Sequence, residues 1–452
     1  MSKWYEKAVF YHMYPLGMVG APKQNTQEEV SHRFEELNLW IPHMKELGVT
    51  AVYIGPLFES STHGYDTKDY QKVDRRLGSN EDFAHFVSLC HQAGIRVVVD
   101  GVFNHSGREF FAFRDIQEKR EASPYRDWYK GVNFGWGSPL GDSFGYEAWQ
   151  GHYELPCFNL RNPAVSNYLF DVIQYWVDAF DIDGIRLDCA NILDFSFMEE
   201  MRRRTTQMKD DFWLMGEVIH GEYGRWVRPS MLHSVTNYEL HKSIYSAHND
   251  HNYFELAHNV RRLEAIAPFL YTFVDNHDED RIASKLLLRE HLPLVYLCLF
   301  TLPGIPSIYY GSEWGIEGRR SRTSDEALRP KIDLTQLQTE RATNWDFSLE
   351  ALISTLSKLH SSHRAYHAGS YKELLLTNRQ YAFAREKDGE VMISAVNNDD
   401  KDAQLFIPLP CPISGNTLTD LISGQEFLVE NGKLVVNLTK YQGIVVNASP
   451  TS

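Results

Sequence analysis

Four short strings hold most of the reactive groups in this chain. Asp100-Gly-Val-Phe-Asn104-His105, Gly184-Ile-Arg186-Leu-Asp188, Leu214-Met-Gly-Glu217 and Phe273-Val-Asp-Asn-His277-Asp278 each run from an apolar, strand-like stretch into carboxylate, amide, guanidinium or imidazole groups. Asp188, Glu217 and Asp278 are the carboxylates best placed for work, because each ends or closely follows a different candidate strand. Two opposed carboxyl groups about 5–5.5 Å apart suit cleavage of a glycosidic bond with retention, one as nucleophile and the other as acid/base. A third can bind sugar hydroxyls and favour positive charge developing at the anomeric carbon. Arg186 lies two residues before Asp188 and so points to the same side of the strand, where a guanidinium would keep Asp188 ionised. Glu217 needs the opposite treatment: partial burial and a neighbouring anion must raise its pKa before it can donate a proton. Taken singly, each of these residues is as readily a helix cap, a surface charge or a satisfied polar group. Asp100, Asn104, His105, Arg186, Asp188, Glu217, His277 and Asp278 on rims of one face read instead as a site. Asp100 could equally brace that rim through hydrogen bonds.

Such a group needs strand ends gathered at one mouth, and the chain supplies them. Strand and helix signals alternate, which predicts an α/β protein with a parallel sheet covered by helices. Eight strands are expected at Val9–Tyr14, Ala51–Gly55, Arg96–Asp100, Gly184–Asp188, Phe212–Val218, Ser234–Leu240, Phe269–Asn276 and Ile305–Tyr310. Helical patterns lie between them, as at Glu29–Leu47, Glu81–Gly94 and Ala164–Phe180, with Gly48 and Gly94 at helix ends and Asn80 and Asn162-Pro at helix starts. Eight βα units closing on themselves give a (β/α)8 TIM barrel of roughly 250 residues, with its site at the C-terminal ends of the strands. The stretch from 105 to 160 is too long for a bare βα loop, usually about 2–6 residues. Rich in Gly, Trp, Phe and Tyr, it reads as a domain inserted after the third strand. From 368 to 452 short alternating strands, such as Tyr381–Arg385, Val391–Val396, Gln404–Ile407 and Lys433–Leu438, predict an antiparallel β-sandwich domain. The barrel then occupies 1–104 and 161–367.

Composition narrows the partners. A formal charge of -15 over 452 residues disfavours nucleic-acid backbones, and no stretch is long and apolar enough to cross a bilayer. Neutral small molecules fit this balance. Aromatic residues make up 13% of the chain, which allows stacking on sugars, although aromatics more commonly fill cores. The five cysteines are scattered, without CxxC spacing, and read as reduced thiols of a cytoplasmic protein. The first residues, Met1-Ser-Lys-Trp, show no apolar signal region.

The strings together resemble the sequence regions of the α-amylase family of glycoside hydrolases. Asp100–His105, Gly184–Asn191, Gly216–His220 and Phe273–Asp278 are similar to its four main regions, in order and at the usual spacing. Leu155-Pro-Cys-Phe-Asn159 is similar to the motif closing the family's inserted domain, and Gly304–Glu313 to its eighth-strand motif. Ser61–Tyr70 matches the segment after the second strand, where a tyrosine stacks on the sugar being cleaved. The resemblance implies Asp188 as nucleophile, Glu217 as acid/base and Asp278 as transition-state stabiliser. Tyr65 would be the stacking platform, and Asp100, His105, Arg186 and His277 would line the cleavage subsite. It implies hydrolysis of α-glucosidic bonds in oligosaccharides through a covalent glucosyl-enzyme intermediate, with transglycosylation as a side activity.

Two departures narrow the branch. Asp188-Cys-Ala-Asn191 looks like the neopullulanase, cyclomaltodextrinase and maltogenic amylase branch, with Cys189 in place of its usual Val. In the family, a residue larger than Ala at that position goes with acceptance of α-1,6 bonds besides α-1,4. Ile219 replaces the branch's usual Trp and weakens stacking on the leaving-group side. Asn104 matches a position that can bind structural calcium, and Asp142 is a candidate contributor that reads better as a turn residue. Six to eight oxygen ligands cannot be assembled from these strings, so catalysis without an obligatory metal or other cofactor is expected. An α-1,6-glucosidase, a sucrose- or trehalose-processing enzyme and a non-catalytic sugar-binding relative remain open, as does a homo-oligomeric state.

Overall fold

The structure, a computed structural model, describes residues 3–339, 347–413 and 415–450. Eight parallel strands form the central sheet: β1 (Phe10–Met13), β2 (Ala51–Ile54), β3 (Arg96–Gly101), β4 (Gly184–Leu187), β5 (Trp213–Gly216), β6 (Ser234–Val235), β7 (Tyr271–Thr272) and β8 (Ile305–Tyr309). They run in the order β6-β5-β4-β3-β2-β1-β8-β7. A parallel bridge between Thr236 and Tyr271 joins the two ends and closes the barrel. Its interior is filled by Phe10, Tyr53, Val98, Trp213, Met215, Tyr271 and Ile305, with Phe10 stacked on Trp213 at 4.9 Å. This is a packed core rather than a pore, so chemistry is confined to the rim.

Several local features follow from the residues that cause them. Asn162 caps the helix Pro163–Phe180 by accepting from Ala164 N, and Pro163 occupies its first turn, where no amide donor is needed. Gly48 and Gly94 adopt φ of 83° and 80° just past their helices, which a residue bearing Cβ would resist. Three expectations need correction. Ser79, not Asn80, starts the helix Asn80–Gln92, through a capping box with Asp82; Asn80 instead accepts from Val73 N. The segment expected as strand Ser234–Leu240 is laddered only at Ser234–Val235, because Asn237 caps a helix over Tyr238–Asn249. Glu29–Leu47 is helical only at Phe34–Asn38 and Trp40–Glu46, since Ser31 N and Phe34 N are drawn to the carbonyls of Arg75 and Leu77.

After β3 the chain forms an irregular lobe with one helix (Phe111–Lys119) and a small hairpin (Ala148–Trp149 with His152–Pro156). Its aromatics Phe110, Phe113, Tyr129, Phe144 and Phe158 are buried, so they build the lobe's own core. After the barrel come two four-stranded antiparallel sheets. One comprises β9 (Ser370–Leu376), β10 (Gln380–Lys387), β11 (Glu390–Asn397) and β16 (Gly443–Asn447). The other comprises β12 (Ala403–Pro408), β13 (Thr417–Thr419), β14 (Glu426–Glu430) and β15 (Lys433–Leu438). Ile393, Ile444 and Val446 of the first pack with Leu405, Leu434 and Val436 of the second. All five cysteines are unpaired. Among the described residues, no helix is long and apolar enough to cross a membrane.

Candidate active site

Register alone brings Asp188 and Glu217 together. Leu187 of β4 lies opposite Gly216 of β5, and the ladder continues one step, Glu217 N donating to the Leu187 carbonyl at 2.9 Å. Asp188 N donates to the Gly101 carbonyl at 3.1 Å, fixing it against the end of β3. Two residues that follow neighbouring strand ends by one position must stand side by side, at the roughly 4.7–4.9 Å spacing of strands. An oxygen of each carboxylate lies within 4.8 Å of one on the other. That separation leaves room for a single anomeric centre between them.

Arg186 occupies the centre of the cluster. Its Nη1 lies 3.0 Å from Asp100 Oδ1 and 3.0 Å from Asp188 Oδ1, and its Nη2 lies 2.8 Å from Glu217 Oε1. One guanidinium therefore faces three buried carboxyls, and all three cannot comfortably ionise at once. Burial, opposed by Arg186 but reinforced by Asp188 and Asp278, pushes Glu217 up to about 7. Burial also raises Asp100, despite Arg186. The Asp100 carboxylate is wholly buried, and Tyr53 OH donates to its Oδ2 at 2.9 Å. Gly55 permits this close approach, since a Cβ there would meet Asp100 Cβ at 2.4 Å. Asp100 thus braces Arg186 through its buried carboxylate, the bracing role that stood for it beside a substrate contact.

Asp278 enters from the loop after β7. Asn276 Oδ1 accepts from Asp278 N and Glu279 N, both at 2.9 Å, and turns the carboxylate toward the mouth. His277 Nε2 lies 3.0 Å from Asp278 Oδ2, and Arg329 Nη2 lies 3.0 Å from Oδ1. Burial opposes the charge, yet His277 and Arg329 outweigh it and hold Asp278 well below the usual carboxylate range. Tyr65 OH lies 2.6 Å from His277 Nε2, with the two rings stacked at 5.8 Å. His105 has a hydrogen-bond partner at each ring nitrogen. Its Nδ1 faces Asn104 Nδ2 at 3.2 Å and its Nε2 faces the Tyr65 carbonyl at 3.1 Å. An amide N–H can only donate, so Nδ1 must accept and Nε2 must donate. One nitrogen thus pairs with Asn104 and the other with the Tyr65 carbonyl, and burial lowers His105 to about 4, keeping it neutral.

Arg329, Tyr14 and Cys189 complete the site. Arg329 also donates to the His277 carbonyl at 3.0 Å and lies over the Tyr14 ring at 4.5 Å. It comes from the long segment after β8, where no local pattern marks it. Tyr14 directly follows β1, so its place at a strand end was a usable signal. A cavity of about 560 Å³ opens beside this pair, lined by Tyr14, Thr62, His63, Asp325 and Arg329. Cys189 donates its backbone N–H to Glu217 Oε2 at 3.1 Å, and its Sγ lies 3.2 Å from Asp188 Oδ2. If Arg329 holds Asp278 for substrate, Arg329→Ala should lower kcat/KM by about tenfold to a hundredfold, the value of one hydrogen bond to a charged group. Steady-state kinetics on maltoheptaose would check this; an unchanged constant would assign Arg329 to structure alone.

The residues named for calcium do not form an oxygen cage. Asp142 is taken by Arg108 at 2.6 and 2.8 Å, by Ser138 Oγ and by Gln117 Nε2. Asn104 Nδ2 faces an imidazole nitrogen and, at 3.9 Å, Cys157 Sγ. Asp188, Cys189 and Glu217 offer closely spaced ligand atoms, but Arg186 already supplies the cation there.

Residues 39–366 match the alpha amylase catalytic domain, and residues 371–445 match the maltogenic amylase C-terminal domain. The chain is 33% identical over 420 residues to neopullulanase 2 of Thermoactinomyces vulgaris, covering 90% of this chain and 69% of that protein. The solved structure of a cyclomaltodextrinase superposes with a TM-score of 0.85 at 26% identity, over 98% of this chain and 78% of that one. A debranching enzyme of Nostoc punctiforme superposes with a TM-score of 0.80 at 28% identity, over 98% of each chain.

Proposed function

The chain belongs to the α-amylase family of glycoside hydrolases, and from that premise we propose that it cleaves α-1,4-glucosidic bonds of short maltodextrins with retention, and α-1,6 bonds as well. The observation that carries this reading is that oxygens of Asp188 and Glu217 lie within 4.8 Å of one another, with burial pushing Glu217 up to about 7. In the first step an Asp188 oxygen bonds the anomeric carbon while the bond to the leaving sugar breaks. Glu217 gives its proton to that leaving oxygen. In the second step water adds to the anomeric carbon, Glu217 takes its proton and the ester electron pair returns to Asp188. A second sugar hydroxyl in place of water gives transglycosylation. Asp278, held anionic, faces the positive charge that develops on the ring, and Tyr65 provides an aromatic surface beside it. The Tyr14–Arg329 cavity lies beside Asp278 and suits the sugars that remain attached to the cleaved residue.

Tolerance of α-1,6 bonds is supported by Cys189, larger than Ala, and by similarity to a protein described as a debranching enzyme. Maltoheptaose, cyclomaltodextrin, panose and pullulan incubated in parallel test the reading. Release of glucose or maltose from maltoheptaose and cleavage of panose support it, whereas internal cutting of long starch with panose untouched would refute the linkage assignment. The acid role also fixes a pH response. The protonated fraction of Glu217 is lost as pH rises through about 7, so kcat/KM should fall on the alkaline side with an apparent pKa near that value. A profile flat from pH 6 to pH 9 would argue against Glu217 as proton donor.

A further inference from the structure

We propose that Cys189 is a positioning residue whose thiol hydrogen-bonds the nucleophilic oxygen of Asp188 and governs how readily the covalent intermediate breaks down. The inference rests on the hydrolytic reading of the same site. Asp188 Oδ1 is held by Arg186 Nη1 at 3.0 Å, and the thiol reaches the other oxygen, Oδ2, at 3.2 Å. Oδ2 is thus the oxygen that the guanidinium leaves free for the anomeric carbon. The contact is built into the backbone. Cys189 sits in the left-handed region, with φ 52° and ψ 37°, which a side chain with Cβ enters only under constraint. Two bonds impose it: Cys189 N–H donates to Glu217 Oε2, and the Cys189 carbonyl accepts from Ile192 N at 3.0 Å. This turn sends the amide to one carboxylate and returns the thiol to the other, so one residue touches both members of the pair.

The chemistry of a donor at Oδ2 is asymmetric. A hydrogen bond there stabilises the carboxylate, with its electron pair, over the ester. It therefore slows attack on the substrate and speeds the second step, in which the C1–Oδ2 bond breaks and the pair returns to Oδ2. Water's proton goes to Glu217, and the S–H bond stays intact throughout. Burial beside Asp188 and Glu217 drives the thiol far up, so it remains protonated and available as donor.

Three variants separate hydrogen bonding from packing. Cys189→Val keeps the volume without a donor, Cys189→Ala removes both, and Cys189→Ser keeps a donor. With α-maltosyl fluoride, an activated donor that makes the second step limiting, Val and Ala should lower kcat about threefold to tenfold, the worth of one hydrogen bond from a weak S–H donor. KM should fall more steeply than kcat, so that kcat/KM rises as attack by the unencumbered carboxylate speeds up, while intact-protein mass after acid quench shows more glycosyl-enzyme than wild type. Ser should restore wild-type values. The proposal is overturned if Val matches wild type while Ser does not, if all three variants are indistinguishable from wild type, or if kcat/KM falls with no accumulated intermediate. A wild-type protein that turns over neither the fluoride nor maltoheptaose would sink the hydrolytic reading itself, a result distinct from indifferent variants of an active enzyme.

Discussion

Replacing Glu217 with Gln is expected to lower kcat on maltoheptaose by about 100- to 10,000-fold, the usual contribution of a positioned general acid. The substitution keeps the shape of the side chain and leaves Oε1 able to accept from Arg186 Nη2, now 2.8 Å away. Loss of activity would then report the proton rather than a collapsed site. The deficit should shrink on α-maltosyl fluoride, because fluoride departs without being protonated. The second step still lacks its base, so the variant should consume about one equivalent of fluoride donor quickly and then stall. A burst followed by a slow phase, read by fluoride release, supports the assignment. Equal losses on both substrates would assign Glu217 to binding.

The second large effect is on stability. Arg186 is almost wholly buried and pairs with Asp100, Asp188 and Glu217. Arg186→Met keeps much of the volume and removes the charge, leaving three buried carboxyls with no cation among them. Removing one partner of a buried ion pair typically costs about 3–5 kcal/mol. The sign with pH follows from the groups left behind. Without Arg186, burial and mutual repulsion raise their folded pKa above the unfolded value. Stability is then retained at low pH, where the carboxyls are neutral, and lost as pH rises through the raised values. The variant should therefore unfold at a much lower temperature than wild type at pH 8 and approach it toward pH 5. A constant difference across that range would mean that the guanidinium contributes packing rather than charge.

The legible part of this site is the part set by neighbouring strands. β4 and β5 are consecutive, so two acidic residues just past their ends had to meet, and the string patterns marked both. Arg186 followed from strand alternation. What escaped is whatever depends on a partner distant in sequence. Asp100 ends its strand as a ligand-binding residue would, yet Tyr53 and Arg186 enclose it. His105 pairs with Asn104 and with the Tyr65 carbonyl, and no spacing rule reveals that both ring nitrogens have such partners. Arg329 comes from an irregular segment whose path is set by tertiary contacts. Among the elements, β6 and β7 are each two residues long, shorter than their apolar runs, because the Asn237 cap and the Asn276 turn redirect the backbone. β9, β13, β14 and β16 were not foreseen, since partly exposed strands such as Ser370–Leu376 carry weak alternation and are fixed by pairing with β10.

The central claim is that Asp188 becomes covalently bonded to the sugar while Glu217 faces it across the same anomeric carbon. Incubating the Glu217→Gln protein with α-maltosyl fluoride, quenching in acid and mapping the peptides by mass spectrometry tests it directly. A single maltosyl group on the peptide that contains Asp188, absent when Asp188 is also replaced by Asn, is the predicted result. A label on any other carboxylate, or fluoride release with no label at all, would contradict it.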